Sequence, residues 1–577
     1  MKELFAIFSL FTHLWGGNVG VSPTAIILSP SVQSVGISGI VIPHHDIVKI
    51  KRQEFLAHVR DAFFAQSEPP TVIIVSPNHF SAGKAAIQTT TKTWMLAKGT
   101  MEPDKITVEA LLRDHIADDQ PKDVTDDHGI RYVLADIHAV FPHAQIVPII
   151  VRQDAPQTTI DSLDISLNTT CPSCLMIASV DFSHYQPAAL SDIHDTVSVR
   201  ALENVDGDTL LNKTEVDSPQ ALYLLSRWAT LHNTKHFNLY GHTNSGVLLN
   251  NPDIETTTHV FGWYETGKPT VPDNSVTFTV AGDIMLARGV ATKFGSNYQS
   301  LFAELGDRVF WGVDAPFANL EGAITDQTSI SKKVASDLTF IFPKQALAAL
   351  KYLHLRAVSL ANNHALNDEQ KGLELSRQVL RNANVMSFGD PRATKDIKIV
   401  HVDGQGYHLY LIGVLAINES TFLQKDLIDQ IKTIKKDPTN KVLIYPHWGI
   451  EYALKHSPLQ ESLAHSWIDA GADAIIGTHP HVVQDMEAYH GRPIIYSLGN
   501  FIFDQVTPAT TQYGLIVSGK FTDTGLDLVP SPIGFHAMKP FLMRGIEKQT
   551  HLNALFSSVD KYKKDTPFST ILNFPLK

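Results

Sequence analysis

The chain has 577 residues, of which 44% are hydrophobic and only 18% charged, enough apolar material for two full cores. Its formal net charge of −12 leaves no basic stripe to replace phosphate counterions, so nucleic acid is not expected as a partner. Lys332-Lys333 and the group Lys432, Lys435 and Lys436 are short runs that read as solvated faces. Both cysteines, Cys171 and Cys174, form one Cys-x-x-Cys, which cannot fill a four-thiolate zinc site. Three readings of the pair stay open: a redox couple, a disulfide, or incidental loop residues.

In chain order, Leu4 to Trp15 is an apolar stretch with the length of a signal-peptide core, too short for a membrane span and followed by small residues. It reads as export to the cell envelope or beyond. The alternative is a buried helix or strand opening a cytoplasmic domain.

Polar clusters then follow short apolar runs. Ile40-Val41-Ile42 precedes Pro43-His44-His45-Asp46, Val72 to Val75 precedes Ser76-Pro77-Asn78-His79, and Leu175 to Ala178 precedes Ser179-Val180-Asp181-Phe182-Ser183-His184. Between them, Asp126-Asp127-His128 opens an expected helix with an acid at its positive end. Histidines and carboxylates at strand ends suggest a pocket. The bland alternative is scattered polar turns in an α/β core.

A strand expected over Thr258 to Tyr264 is followed by a stretch rich in proline and small polar residues, 265–275, which reads as a domain junction. Each side carries its own series of strands and helices, so each is expected to be α/β and to fold by itself.

The second half repeats the pattern of apolar run and polar stop. Val276 to Ala281 leads into Gly282-Asp283, Ala318-Asn319-Leu320 into Glu321, Ala357 to Leu360 into Ala361-Asn362-Asn363-His364, and Lys441 to Tyr445 into Pro446-His447. Ala474-Ile475-Ile476 leads into Gly477-Thr478-His479-Pro480-His481. Residues two apart on an extended strand share a face, so His479 and His481 are expected to converge at a strand end. A mixed N/O donor set suits zinc, manganese or iron better than calcium. Taken singly, each cluster also reads as a cap, a turn or a core histidine; five in order argue for one centre.

The stretches GDIML, NLEG, ANNHALN, HWGIEY, GADAIIGTHPHV and YSLGNFIF resemble the CapA/poly-γ-glutamate capsule biosynthesis proteins, a branch of the calcineurin-like metallophosphoesterases, over about residues 275 to 545. The resemblance implies a β-sandwich flanked by helices and two adjacent divalent ions (Mn, Zn or Fe). It also implies Asp283, Glu321, Asn363, His447, His479 and His481 as ligands, with His364 as the group that protonates a leaving oxygen. It implies hydrolysis of a phosphoester or related bond, or non-catalytic binding of an anionic envelope polymer. One departure is Asn367, where that family usually carries Asp; Asp368 follows it. Tyr496 to Phe501, with no strongly titratable group, is assigned a structural role beneath the site.

The stretches VIPHH, SPNHF, DDHGIRYVLADIHAVFPHAQIVPIIV, SVDFSHY and LYGHTNSG resemble the Memo family, also called AmmeMemoRadiSam system protein B, over roughly residues 38 to 265. It is related in fold to class III extradiol dioxygenases, so an α/β domain is implied. His44 and His79 carry over as metal ligands, with Asp181 and His184 lining the pocket and His128 nearby. In some members a cysteine near the last motif completes the site. Tyr240 to Gly246 contains none, which leaves His242 as a replacement. One iron or zinc ion, an iron or copper oxidoreductase activity, and AMMECR-like and radical SAM partners are the corresponding expectations. The expected organisation is an apolar segment 1–25, a Memo-like domain 26–265, a linker 266–275, a CapA-like domain 276–545 and an extension 546–577.

Overall fold

The computed structural model describes residues 36–295, 297–326, 338–392, 397–417, 424–564 and 571–576; the expected N-terminal apolar segment lies outside them. No helix of the described residues is long and apolar enough to cross a membrane.

Strands buried on both faces belong in parallel sheets covered by helices, and three runs of the first half are buried at every residue: Ile37–Ile42, Thr71–Pro77 and Leu175–Ser179. With Gln145–Val151 they form the parallel centre of a mixed sheet, in the order Ile37–Ile42, Leu175–Ser179, Thr71–Pro77, Gln145–Val151. Antiparallel strands Thr256–Glu265 and His236–Asn244 extend it at one edge. One face packs on the helices Lys49–Phe63 and His128–Val140, and the other on Gln157–Thr170 and Pro219–Leu231. His44, Asp181 and His79 each lie within two residues of the C-terminal end of a neighbouring parallel strand. That rim is where open α/β sheets bind ligands.

The second half is a sandwich. One sheet runs Met386–Phe388, Ala357–Ser359, Ala315–Leu320, Ser275–Ile284, Tyr513–Thr522 and Gly525–His536, the first four parallel. The other centres on the parallel strands His408–Ala416, Asn440–Trp448, Ala474–Ile476 and Arg492–Ile495. Period-two alternation turns Val276, Phe278 and Val280 inward against Leu409, Leu411, Leu443 and Tyr445. The helices Gln424–Ile434 and Pro458–Ala470 cover one outer face, where Trp448 stacks on Trp467 at 5.3 Å. The helix Glu369–Asn382 covers part of the other. Pro458–Ala470 starts with a full capping box from Ser457 and Gln460 and stops at Gly471 in a left-handed conformation.

The halves belong to one compact unit and are tied by more than residues 266–274. From the first half, the helix Ala188–Glu203 sends Leu190 into the second half's core and packs Ile193 on Val313 and Val529. Its Arg200 makes a bidentate pair with Asp314, and Asp314 Oδ2 also accepts from Thr277 N at 2.9 Å and Thr277 Oγ1 at 3.0 Å. Lys548 of the second half pairs with Asp253 of the first. Independent folding, expected from the proline-containing junction, therefore has a shared apolar and ionic surface set against it.

Candidate metal centres

In the second half, parallel strands of both sheets end at one rim. Asp283 is the next-to-last residue of the strand Ser275–Ile284, Glu321 follows Ala315–Leu320, His447 is the next-to-last of Asn440–Trp448, and all three are buried. Ligand atoms of these three lie within 4.8 Å of one another, and those of Glu451, His479 and His481 form a second such group.

Amides hold this set in place. Asn319 Nδ2 donates to Asp283 Oδ1 at 2.8 Å, and Asn362 Nδ2 donates to Asn319 Oδ1 at 3.0 Å. His447 Nε2 lies 2.9 Å from Asn363 Oδ1 and 3.1 Å from His479 Nδ1. His481 Nδ1 lies 3.0 Å from Asn500 Oδ1, so the stretch expected to be purely structural touches a candidate ligand directly. Asn319, Asn362 and Asn500 were not among the expected site residues; their signal was an amide beside or inside each motif.

His479 and His481 converge by another route than an extended strand. The strand stops at Ile476, and the two residues take positive φ, 98° and 58°, on either side of Pro480. The turn places the ring centroids 6.0 Å apart.

Glu321 is wholly buried, and neither carboxylate oxygen has a hydrogen-bond partner among the described residues. Its Oε1 is 3.8 Å from His481 Nε2 and 3.8 Å from His364 Nε2. Burial, with the nearby Asp283 charge, pushes its carboxyl well above the usual carboxylate range. Burial, then His481, holds His479 down at about 4, and burial, then His479, drives His447 well below the usual imidazole range. His481 runs the other way: burial lowers it, but Glu321 and Asp283 outweigh that and raise it to about 9, so it would yield its proton to a bound ion. Two imidazoles held neutral beside buried carboxyls are donor chemistry that a divalent cation satisfies.

His364 stacks on Phe340 at 3.8 Å. Its Nδ1 is 2.9 Å from Asn367 Oδ1, which also accepts from Phe340 N at 2.6 Å. An oxygen already accepting from a backbone N–H receives the imidazole proton as well, so Nδ1 donates and Nε2 faces Glu321. An amide here orients the ring as a carboxylate would, without its charge.

In the first half, His44 Nε2 is 3.1 Å from His79 Nε2 and 3.2 Å from Asp181 Oδ2. It is also 3.2 Å from Oδ2 of Asp217, which lies 3.7 Å from His79. His128 packs on His79 with centroids 3.6 Å apart. Asp127, the N-cap of the helix His128–Val140, grips His79 through both Nδ1, at 2.9 Å, and the backbone N, at 3.0 Å. That carboxylate fixes the ring so that Nε2 faces the pocket. His79 loses proton affinity to burial, but Asp127 and Asp217 outweigh it and raise it to about 9. Burial, then His79 and His44, lowers His128 to about 4. His184 adjoins this charge field: burial lowers its proton affinity, and Asp217 and Asp181 partly restore it.

His242 is not brought to this cluster: Asp195 takes up its Nε2 at 2.7 Å. Asp217, 3.2 Å from His44 and 3.7 Å from His79, lies between the two histidines and is absent from the expected set because it sits in a loop and not at a strand end. Its only signal was a pair of acids, Glu215 and Asp217, just ahead of the Ser218-Pro219 helix start. Cys171 and Cys174 form a disulfide.

Two strand-end donor clusters, one per half, define a chain with two candidate metal centres on α/β scaffolds. Residues 277–505 match the family described as Bacterial capsule synthesis protein PGA_cap, and residues 24–246 match Memo-like protein. Capsule biosynthesis protein CapA of Bacillus anthracis is 29% identical over 324 residues, covering 50% of this chain and 77% of its own. PGA biosynthesis protein CapA of Bacillus subtilis (strain 168) is 27% identical over 325 residues, covering 52% and 85%. A MEMO1 family protein of Caldivirga maquilingensis is 24% identical over 193 residues, covering 31% and 66%. The chain joins a Memo-like region to a capsule-synthesis PGA_cap region.

Proposed function

We propose that the second half is a metal-dependent hydrolase-type domain that cleaves a phosphoester or related bond during synthesis of an anionic envelope polymer of the poly-γ-glutamate kind. The observation that carries this reading is Glu321, buried beside Asp283 with neither oxygen hydrogen-bonded among the described residues. Asp283, Glu321, Asn363, His447, His479 and His481 would hold two divalent ions, to which Glu321 offers two free oxygens. Bound there, such ions supply Lewis acidity to a phosphoryl oxygen and to an attacking water.

The rest falls to the protein. Asn319 and Asn500 orient Asp283 and His481, and Phe340 and Asn367 fix His364 so that Nε2, when the ring carries a second proton, can give that proton to a departing oxygen; burial opposes the charged ring and Asn367 favours it. The test is turnover of generic phosphodiesters by the purified chain with added manganese. Asp283→Ala and His481→Ala should lose both metal and turnover. His364→Ala should keep the metal and lose about 10²- to 10⁴-fold in rate on poor leaving groups. Undiminished turnover in Asp283→Ala sinks the reading; metal-dependent binding of polyglutamate without turnover favours the polymer-binding alternative.

For the first half, two histidines and a carboxylate fit one iron or zinc ion, with His44, His79 and Asp217 as donors and Asp181 beside them. His44→Ala combined with His79→Ala should abolish metal retention by that pocket.

A further inference from the structure

Glu215 is completely buried, and what surrounds it comes from both halves. On the first-half side, its Oε2 is 2.6 Å from His194 Nδ1, and its Oε1 accepts from the backbone N of His184 at 3.1 Å. The cation on the second-half side is Arg308, whose Nη1 lies 3.6 Å from Oε1. Its guanidinium sits over the rings of Tyr185, at 5.5 Å, and Trp311, at 5.3 Å. Gly312 presses on the same spot: at φ +76°, a Cβ there would meet His194 Cβ at 3.0 Å and Glu215 Cβ at 3.1 Å. No side chain fits between the halves at this point.

Two residues after Glu215 stands Asp217, the acid of the first-half pocket. It is stitched to Asp181 twice: Asp217 N donates to Asp181 O at 3.1 Å, and Asp181 N donates to Asp217 Oδ2 at 3.1 Å. The short segment 214–218 thus faces His44 and His79 with one residue and the second half with another. A buried carboxylate is tolerated only when paired and hydrogen-bonded, and removing one partner leaves a charge that must escape or drag its backbone to water.

We infer that the first-half pocket is completed across the junction: Arg308 of the second half holds Glu215, and through it Asp217 and His184, in the position the pocket needs. Arg308 is a positioning residue and touches no reacting group. The same segment, 307–314, runs directly into Ala315–Leu320, the strand whose end carries Asn319 and precedes Glu321. The peg that sets one pocket is therefore the root of a strand that builds the other.

The metal part of the test rests on reading the first-half pocket as a metal site; the exchange part does not. Hydrogen exchange by mass spectrometry on the otherwise unaltered full chain should show Arg308→Ala speeding exchange about tenfold or more in segments 181–186 and 214–218. Segments 71–77 and 440–448 should stay at parental rates, and Arg308→Lys, which keeps the charge but not the planar stack, should fall between. In a second background, Asp283→Ala with His479→Ala, bound zinc should drop several-fold on adding Arg308→Ala. Unchanged exchange in both segments, or equal acceleration throughout the chain, overturns the inference. A parent that holds no zinc in that background refutes the metal reading of the pocket and leaves exchange to decide Arg308.

Discussion

Replacing Asp314 with alanine tests whether the halves are one cooperative body. The Arg200 and Asp314 side chains are 11% and 6% exposed, and Asp314 also accepts from both Thr277 N and Thr277 Oγ1. Asp314→Ala strands the Arg200 guanidinium against Ser275 and leaves the first strand of the sandwich without its acceptor. Breaking a buried pair by removing one partner costs about 3–5 kcal/mol. The slight exposure of Arg200 places the expectation near 3. Because a chain with two cores need not unfold in one step, the assay is urea unfolding followed by tryptophan emission together with limited proteolysis. The parent should unfold in one transition, whereas Asp314→Ala should unfold in two and become cleavable within residues 266–274. Arg200→Met with Asp314→Leu, which removes both charges at similar volume, should recover the share due to the stranded guanidinium while Thr277 stays without its acceptor. A single parental transition in Asp314→Ala, or a double variant as weak as the single one, refutes the reasoning.

Gly282→Ala should fail to accumulate as folded protein or lose several kcal/mol, because its Cβ would sit 1.9 Å from Gly499 O and push Asp283 off its rim; a parental melting temperature would contradict this. Glu321→Gln exchanges a carboxyl that burial and Asp283 already push toward its neutral form for a neutral amide, so metal-free protein should melt close to the parent while the rise on adding manganese or zinc disappears; a rise as large as the parent's counts against it. Asp390 carries an acid-side pH dependence: burial raises its carboxyl, but Arg392 and Arg377 outweigh that and hold it at about 2, below the usual range. A depressed folded value means stability present above the unfolded carboxylate range and lost as pH falls toward 2. Asp390→Asn should flatten the loss of stability between about pH 4 and pH 2; an unaltered slope there counts against it.

The strand-end clusters were legible because an apolar run followed by an abrupt polar stop is written locally. His44, His79 and Asp181 fall where that rule puts them, as do Asp283, Glu321 and His447. Other features depend on distance along the chain. Arg200 and Asp314 are separated by 114 residues, and nothing near either one announces the other. Asp217 escaped because it precedes a helix in a loop, where acids usually cap or face water. His242 misled because a histidine near the last motif can serve as a ligand or as a partner for a buried acid, and only Asp195 decides between them. The His-Pro-His turn was misjudged in shape though not in outcome, since alternation assumes an extended backbone that the positive φ values deny.

Those two backbone conformations have a mechanical meaning. Outside glycine, the left-handed region costs of order 1–3 kcal/mol per residue, and here two histidines bear it within a single turn. Glycine at either position would relax the chain and forfeit the imidazole. The turn therefore works as a latch under tension, caught by Asp283 on the His479 backbone N at 3.3 Å and by Asn500 on His481 at 3.0 Å. Losing either catch lets the whole turn spring, and both imidazoles leave the rim together.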